Sequence, residues 1–309
     1  MAFNEQNTVE HFIIHQLTGV NLNNIVGTRH GMSVQEDAIE YEGGVKWKYV
    51  QADLLQRDIT EVFVEKELKE ALCRLNPAIA TNPDRAEEVI HKLRAILITV
   101  NNVGLVRANE EFAKWLRNEV TLPIGKNNEH VAIRLIDFEE LKNNSFVLCN
   151  QFKLRARETK IPDIVMFVNG IPLVVFEFKT AIQENVTMHN AYVQLTTRYK
   201  KDIPELFKYN AFCVISDGVN NKSGSFFAPY EFFYGWRRVA GLAKDVDGID
   251  SMFTLIQGMF NKNRLRDIIR NFIYIPDSSK KNEKIVCRYP QYYAARALFE
   301  NIKKAQKPV

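Results

Sequence analysis

The chain has 309 residues, 46% of them hydrophobic and 25% charged, which is enough apolar material for one large domain or two ordinary ones. Its 41 Lys and Arg against 37 Asp and Glu leave a net charge of only +4. That excludes a polycationic nucleic-acid coat, so any contact with DNA has to come from local clusters. No apolar run reaches membrane-spanning length and no secretory signal opens the chain, so a soluble cytoplasmic protein without a membrane partner is expected. Cys73, Cys149, Cys213 and Cys287 are far apart, match no zinc spacing and read as buried free thiols in a reducing compartment.

In chain order, Asn7-Thr-Val-Glu10 has the form of a capping box, and Val9, Phe12, Ile13 and Leu17 follow at the spacing of an amphipathic helix. Residues 20–60 are mixed, with turns at Gly31, Gly43 and Gly44. A strand at 62–64 precedes a helix over 65–75, Asn82-Pro83-Asp84 opens a second helix reaching about 98, and a third spans 109–120. Strands are expected at 131–136 and 146–154, then a hairpin over 161–179, a helix over 187–200 and a strand over 211–216. Helices over 251–260 and 264–272 are followed by a polar, breaker-rich linker, 277–284, and a last amphipathic helix. The mixture predicts an α/β fold with a mixed central sheet flanked by helices and a C-terminal helical extension. Of the six histidines only His11 and His15 have a ligand-like spacing, and they lack a third ligand.

The stretch from Ile161 to Lys179 carries the chemistry. Two apolar runs flank Asn169-Gly170, as in a hairpin buried on both faces, yet Asp163 opens one strand and Glu177-Phe178-Lys179 closes the other. Charges in such a place are costly unless paired or bound to a metal. Glu177 and Lys179 share a face. With a two-residue loop Val168 pairs with Ile171, Asp163 pairs with Phe176, and Glu177 points the other way. With a three-residue loop Asp163 faces Glu177. Bringing the carboxylates together therefore requires the longer loop or a bulge. Pro172, which cannot donate to a ladder, favours the longer loop.

Pro162-Asp163 and Glu177-Phe178-Lys179 together resemble the PD-(D/E)xK nuclease signature. The wording around them resembles the N-terminal endonuclease region of the R subunit (HsdR) of type I restriction-modification enzymes. The likeness runs through Asn144–Phe152, Ile203–Asn210, Val214–Gly218 and Gly224–Trp236, and covers most of the chain. It implies a PD-(D/E)xK core, with an endonuclease domain over 1–245 and, over 246–309, a connector and the edge of a helicase-like motor. The implied activity is Mg²⁺-dependent hydrolysis of double-stranded DNA, with Mn²⁺ able to substitute. The partners implied are methyltransferase (M) and specificity (S) subunits, and ATP is used only by the full-length protein.

On that resemblance, Asp163, Glu177 and the Phe178 main-chain carbonyl hold the metal, which suits the hard oxygen ligands Mg²⁺ prefers. Lys179 orients the attacking water or stabilises the phosphorane; two adjacent carboxylates would raise its pKa, so the electrostatic role is favoured over that of a base. A salt bridge to either carboxylate is compatible with this in the metal-free state. Glu10 answers equally to two readings, as a metal-shell carboxylate or as the capping-box Glu. The family's Q-x-x-x-Y element is represented by Gln194 and Tyr199, one residue further apart than usual. Gln194 and Arg198 share a helical face, so either Arg198 takes part, or the helix carries a bulge, or Tyr199 has lost its role.

Lys153, Arg155 and Arg157 alternate along a strand and share one face, with Lys160 in the following loop. They suit phosphate contacts, and equally a half-exposed strand. Trp236-Arg237-Arg238 is a further basic cluster. By resemblance Arg288 and Gln291 mark the entry to a nucleotide-binding motor, but no G-x-x-x-x-G-K-[ST] loop follows within these 309 residues. As it stands, Gln291 is an ordinary helix-start residue. Two rival readings remain: a non-catalytic DNA-clamping or docking module with a vestigial site, and a stand-alone PD-(D/E)xK nuclease.

Overall fold

A computed structural model describes residues 9–22, 47–96, 104–179, 187–239, 250–276 and 283–305. The elements in chain order are α1 (His11–Thr18), β1 (Lys48–Tyr49), α2 (Glu65–Leu75), α3 (Pro77–Ala80), α4 (Asp84–Arg94), α5 (Gly104–Leu116), β2 (Thr121–Leu122) and β3 (Val131–Ala132). They continue with β4 (Phe146–Asn150), β5 (Leu154–Arg155), β6 (Thr159–Lys160), β7 (Ile164–Val168), β8 (Ile171–Phe178), α6 (Met188–Val193), a π-helical turn (Gln194–Tyr199), α7 (Lys200–Asp202) and α8 (Pro204–Lys208). The last are β9 (Phe212–Ser216), β10 (Asn221–Gly224), α9 (Asp250–Met259), α10 (Lys262–Asn271), β11 (Ile273–Tyr274), β12 (Ile285–Val286) and α11 (Tyr289–Ala305).

Six strands form one mixed sheet in the order β1-β4-β7-β8-β9-β10. β1 runs parallel to β4 and β8 parallel to β9; the other neighbours are antiparallel. Helices flank the sheet, which is the α/β architecture that the pattern of apolar runs predicts. Every residue of β4, β7, β8 and β9 is buried. Strands covered on both faces read as unbroken apolar runs, so the few polar residues among them stand out. Cross-strand partners point to one side. Asn150, Ile164, Phe176 and Val214 therefore line one face, where Phe260 at the end of α9 packs 5.2 Å from the Phe176 ring. Val165, Val175, Cys213 and Ile215 line the other, beneath the π turn.

The helices form where their apolar positions recur at one face. In α2, Leu68, Ala71, Leu72 and Leu75 are buried while Glu65 and Lys69 pair at 2.8 Å outside. α1 buries Ile13, Ile14 and Leu17 and stops at Gly19, whose φ of 78° closes the helix with a bond to the His15 carbonyl. Asn7, the expected cap, lies outside the described residues, as do Gly31, Gly43 and Gly44, the expected boundary at 245/246 and most of the linker 277–284.

Several expectations are corrected. Val62–Val64 is buried but is not a strand: Val64 N–H bonds to the Gly170 carbonyl and braces the hairpin turn. The third helix is already formed at Gly104, ahead of the expected 109, and ends at Leu116. The strand expected at 131–136 is only two residues long, and the one at 146–154 breaks after Asn150. Lys284 is no linker residue; it is buried, for reasons taken up below. Among the described residues no helix is long and apolar enough to cross a membrane.

Candidate active site

The hairpin supplies the register the chemistry needs, by a route that combines both alternatives. Asn169 (φ 52°) and Gly170 (φ 75°) make a two-residue turn with both residues left-handed. A side chain at Gly170 would place its Cβ 2.4 Å from the Val64 carbonyl. Val168 pairs with Ile171 and Phe167 with Pro172, but Met166 pairs with Val174. Leu173 is thus an extra residue, a β-bulge next to the proline that lacks an N–H. Past the bulge Ile164 pairs with Phe176, so Asp163 comes opposite Glu177. The longer loop that Pro172 favours does not form; the bulge performs the same shift.

Asp163 Oδ2 accepts the Phe178 N–H at 2.7 Å, which ties its carboxylate to the end of β8. Glu177 is fully buried. Lys179 Nζ lies 3.2 Å from Glu177 Oε1 and donates to the Phe178 carbonyl at 2.8 Å, while its backbone N–H bonds to Ser216. The ammonium therefore rests against two oxygens that the resemblance implies as metal ligands. Burial, and after it the negative charge of Asp163, hold the Glu177 carboxyl well above its usual range, against the opposing pull of Lys179. Its Oε2 is buried and accepts no well-formed hydrogen bond, the nearby Tyr199 hydroxyl being donated to the Ile161 carbonyl.

The helix over 187–200 is not uniform. Its first six residues are α-helical, with Thr187 and Asn190 forming a capping box, and Gln194–Tyr199 widens into a π turn. In a π turn residues five apart align. Gln194 Nε2 accordingly donates to the Tyr199 hydroxyl at 2.9 Å, and that hydroxyl donates to the Ile161 carbonyl at 3.2 Å. Of the three alternatives for the long Gln–Tyr spacing, the helix takes the bulge. The shared face belongs to Gln194 and Tyr199, and Arg198 points to solvent. Tyr199 stands close enough to Glu177 to feel its charge; burial, and then that charge, push the phenol far above its usual range, so it stays a proton donor.

Glu10 is buried at the same end of the sheet. Gln151 Nε2 donates to its Oε1 at 2.8 Å and Asn150 Nδ2 to its Oε2 at 3.2 Å. The excursion between β4 and β7 is a small hairpin, β5–β6, that pairs Leu154 with Lys160. Lys153 and Arg155 are exposed on either side of the buried Leu154. The three do not share a strand as expected: β5 is only Leu154–Arg155, so Lys153 precedes it and Arg157 lies in the turn after it. Lys160 is committed to Asp202 at 3.1 Å and Glu158 at 2.8 Å. Gln291 is far along the chain at the start of α11, where its Oε1 accepts the Arg288 N–H, and the Arg288 guanidinium stacks on Tyr234. Sequence reasoning passed over Gln151 and Asn150; the signal was a polar pair at the end of a wholly apolar strand.

Among the described residues no three His, Cys, Asp or Glu side chains are grouped as a ready-made metal cage. Two facing carboxylates, a neighbouring main-chain carbonyl and an orphaned buried oxygen nonetheless fit a hard divalent cation that keeps part of its water shell.

Residues 3–232 match the family described as type I restriction enzyme R protein N terminus. Over 262 residues the chain is 36% identical to the type I restriction enzyme HindI endonuclease subunit of Haemophilus influenzae, covering 82% of this chain and 24% of that protein. It is 31% identical over 238 residues to the putative type I restriction enzyme MjaIXP endonuclease subunit of Methanocaldococcus jannaschii, covering 70% of this chain and 22% of that one. The chain spans about a quarter of the length of these curated relatives.

Proposed function

The chain belongs to the type I restriction enzyme R protein N-terminal family, and from that premise we propose that it is the Mg²⁺-dependent endonuclease module of a restriction R subunit. One observation carries this reading: the bulge at Leu173 sets Asp163 opposite Glu177, beside Lys179 and an orphaned Glu177 oxygen.

Asp163, Glu177 and the Phe178 carbonyl would hold the cation, with Glu10 as an outer carboxylate. When bound, Mg²⁺ (or Mn²⁺) polarises the scissile phosphate and lowers the pKa of a water. The chain's own residues do the rest. Lys179, released from the oxygens it now touches, keeps a positive charge where the pentavalent phosphorus develops negative charge. Tyr199, held by Gln194, stands at the same wall, where turning its hydroxyl from the Ile161 carbonyl would offer a hydrogen bond. Lys153, Arg155 and Arg157, with Arg198 on the π turn, contact the phosphates of double-stranded DNA without reading bases. Residues 246–309 lead toward an ATP-driven motor in the full-length protein, where M and S subunits choose the site.

Calorimetric titration with Mg²⁺ or Mn²⁺ tests this. Wild-type protein binds, and Asp163→Ala and Glu177→Ala do not. Lys179→Ala keeps DNA affinity and loses about 10²-fold or more in cleavage rate. Equal heats in all three metal titrations would mean the carboxylates do not form one site, and a large loss of DNA affinity in Lys179→Ala would favour a clamp over an enzyme.

A further inference from the structure

Gln151 has an unusual backbone for its residue type. It follows directly on β4 with φ 52°, in the left-handed region that glycine and asparagine enter at lower cost. A residue held there needs its surroundings to fix it, and such residues cluster at functional sites. The surroundings here are three bonds. The Gln151 N–H bonds to the Asp163 carbonyl at 2.8 Å, and the next N–H, of Phe152, bonds to the Pro162 carbonyl at 3.1 Å. The Gln151 side chain donates to Glu10 Oε1 at 2.8 Å. A single residue therefore grips the main chain of one expected metal ligand and the side chain of another. Asn150 reinforces this: its Nδ2 reaches the second Glu10 oxygen, and its Oδ1 accepts from the Tyr49 hydroxyl at 2.8 Å.

We propose that Gln151 is a positioning residue that locks the Glu10 carboxylate to the Asp163 strand end, so that both face a divalent cation as one rigid unit. The inference rests on the metal-dependent reading above and deepens it. Glu10, which immediately precedes α1, bonds Asn150 on one face of the sheet, whereas Glu177 lies on the opposite face, so the two carboxylates can share one cation only around the strand ends. Gln151 sits at that end, and its left-handed turn is what lets one residue serve both sides. Glycine would adopt the same φ with less strain but could not reach Glu10, and asparagine is one carbon shorter.

The test measures Mn²⁺ affinity by calorimetry and, separately, the thermal midpoint of the metal-free protein, for wild type, Gln151→Gly, Gln151→Asn, Glu10→Gln and the Gln151→Gly/Glu10→Gln double variant. Loss of an outer-shell partner weakens metal binding by about tenfold or more. Both Gln151 variants are expected to show that loss while remaining folded with a single cooperative transition. The double variant is expected to bind no more weakly than Glu10→Gln alone, because Gln151 acts through Glu10. Wild-type affinity in Gln151→Gly, or a loss that adds in full to that of Glu10→Gln, overturns the inference and leaves the metal reading standing. Absence of Mn²⁺ binding by the wild type overturns both.

Discussion

Glu177 concentrates the conflict between folding and chemistry in one side chain. It is fully buried, faces Asp163, and has one oxygen against Lys179 and one that accepts no well-formed hydrogen bond. Its folded pKa is raised above the unfolded value, so the folded state binds its proton more tightly than the unfolded chain does. Any stability it contributes is fully present below the unfolded pKa and is lost as pH rises through the raised folded value. At neutral pH and above, the metal-free protein thus carries the cost of a buried, poorly solvated carboxylate. Glu177→Gln, which imitates the neutral acid, is expected to stabilise the metal-free protein above neutral pH, because the amide carries no charge to desolvate. The same variant is expected to abolish metal binding. Denaturant titration at pH 8 with and without Mg²⁺ checks both halves. A destabilised Glu177→Gln would show that the ion pair with Lys179 outweighs the desolvation. Metal affinity in the wild type should fall as pH drops through the Glu177 pKa, because proton and cation compete for the same oxygens.

Two elements reach their observed form through one extra residue each. In the hairpin the surplus is Leu173, and in the helix it is the fifth step between Gln194 and Tyr199. Both were visible in the sequence as arithmetic that did not close: a two-residue turn leaves Asp163 and Glu177 on opposite faces, and a six-residue Q-to-Y element leaves Tyr199 off the Gln194 face. The place where the backbone absorbs the surplus was not visible, because tertiary partners decide it. The Leu173 carbonyl is taken by the Ala211 N–H at 2.7 Å and by Asn210 Nδ2 at 3.2 Å, groups more than 35 positions away in the chain. The buried Val62–Val64 segment failed as a strand for a similar reason, since the Val64 backbone N–H is spent on the Gly170 carbonyl of the hairpin turn. The π turn yields a sharp expectation. Deleting the exposed Thr197 should let Gln194–Tyr199 relax to an α-helical turn with the pair still on one face. Metal affinity should then change by much less than the ~10-fold typical of losing an outer-shell partner, and the thermal midpoint should not fall. A tenfold loss in a calorimetric titration would mean that the wider turn itself shapes the site.

Across the whole molecule, the facing carboxylates Asp163 and Glu177 were legible as charges inside apolar runs, whereas the way the C-terminal part joins the sheet was not. The family match ends at residue 232, yet Phe260 packs on Phe176 and Phe212, and Trp236 lies against Tyr289, Tyr292 and Tyr293. Lys284, which composition assigns to a polar linker, instead inserts where β9 begins. Its Nζ donates to Asn109 Oδ1 at 2.9 Å and to the Asn210 carbonyl at 2.6 Å. Asn109 in turn donates to the carbonyls of Phe207, Lys208 and Asn210. This hub binds the chain just ahead of β12 to α5 and to the start of β9, the strand beside β8. Burial lowers the Lys284 amine to about 7, with the neighbouring Cys213 thiol opposing the shift. Lys284→Met leaves two buried oxygens without this donor and is expected to cost about 1–3 kcal/mol. The cost should depend on pH in a definite direction. Between about pH 7 and the ordinary lysine value of about 10.4 the unfolded chain holds a proton at Lys284 that the folded chain has released. Stability then rises with pH for the wild type relative to Lys284→Met. Contributions of groups shared by both proteins, such as Lys262 and Cys213, largely cancel in the difference. Urea unfolding at pH 6.5, 8 and 9.5 should therefore show a gap that widens with pH. A gap that stays constant would mean the ammonium keeps its proton in the fold, held by Asn109 and Asn210 strongly enough to offset its desolvation.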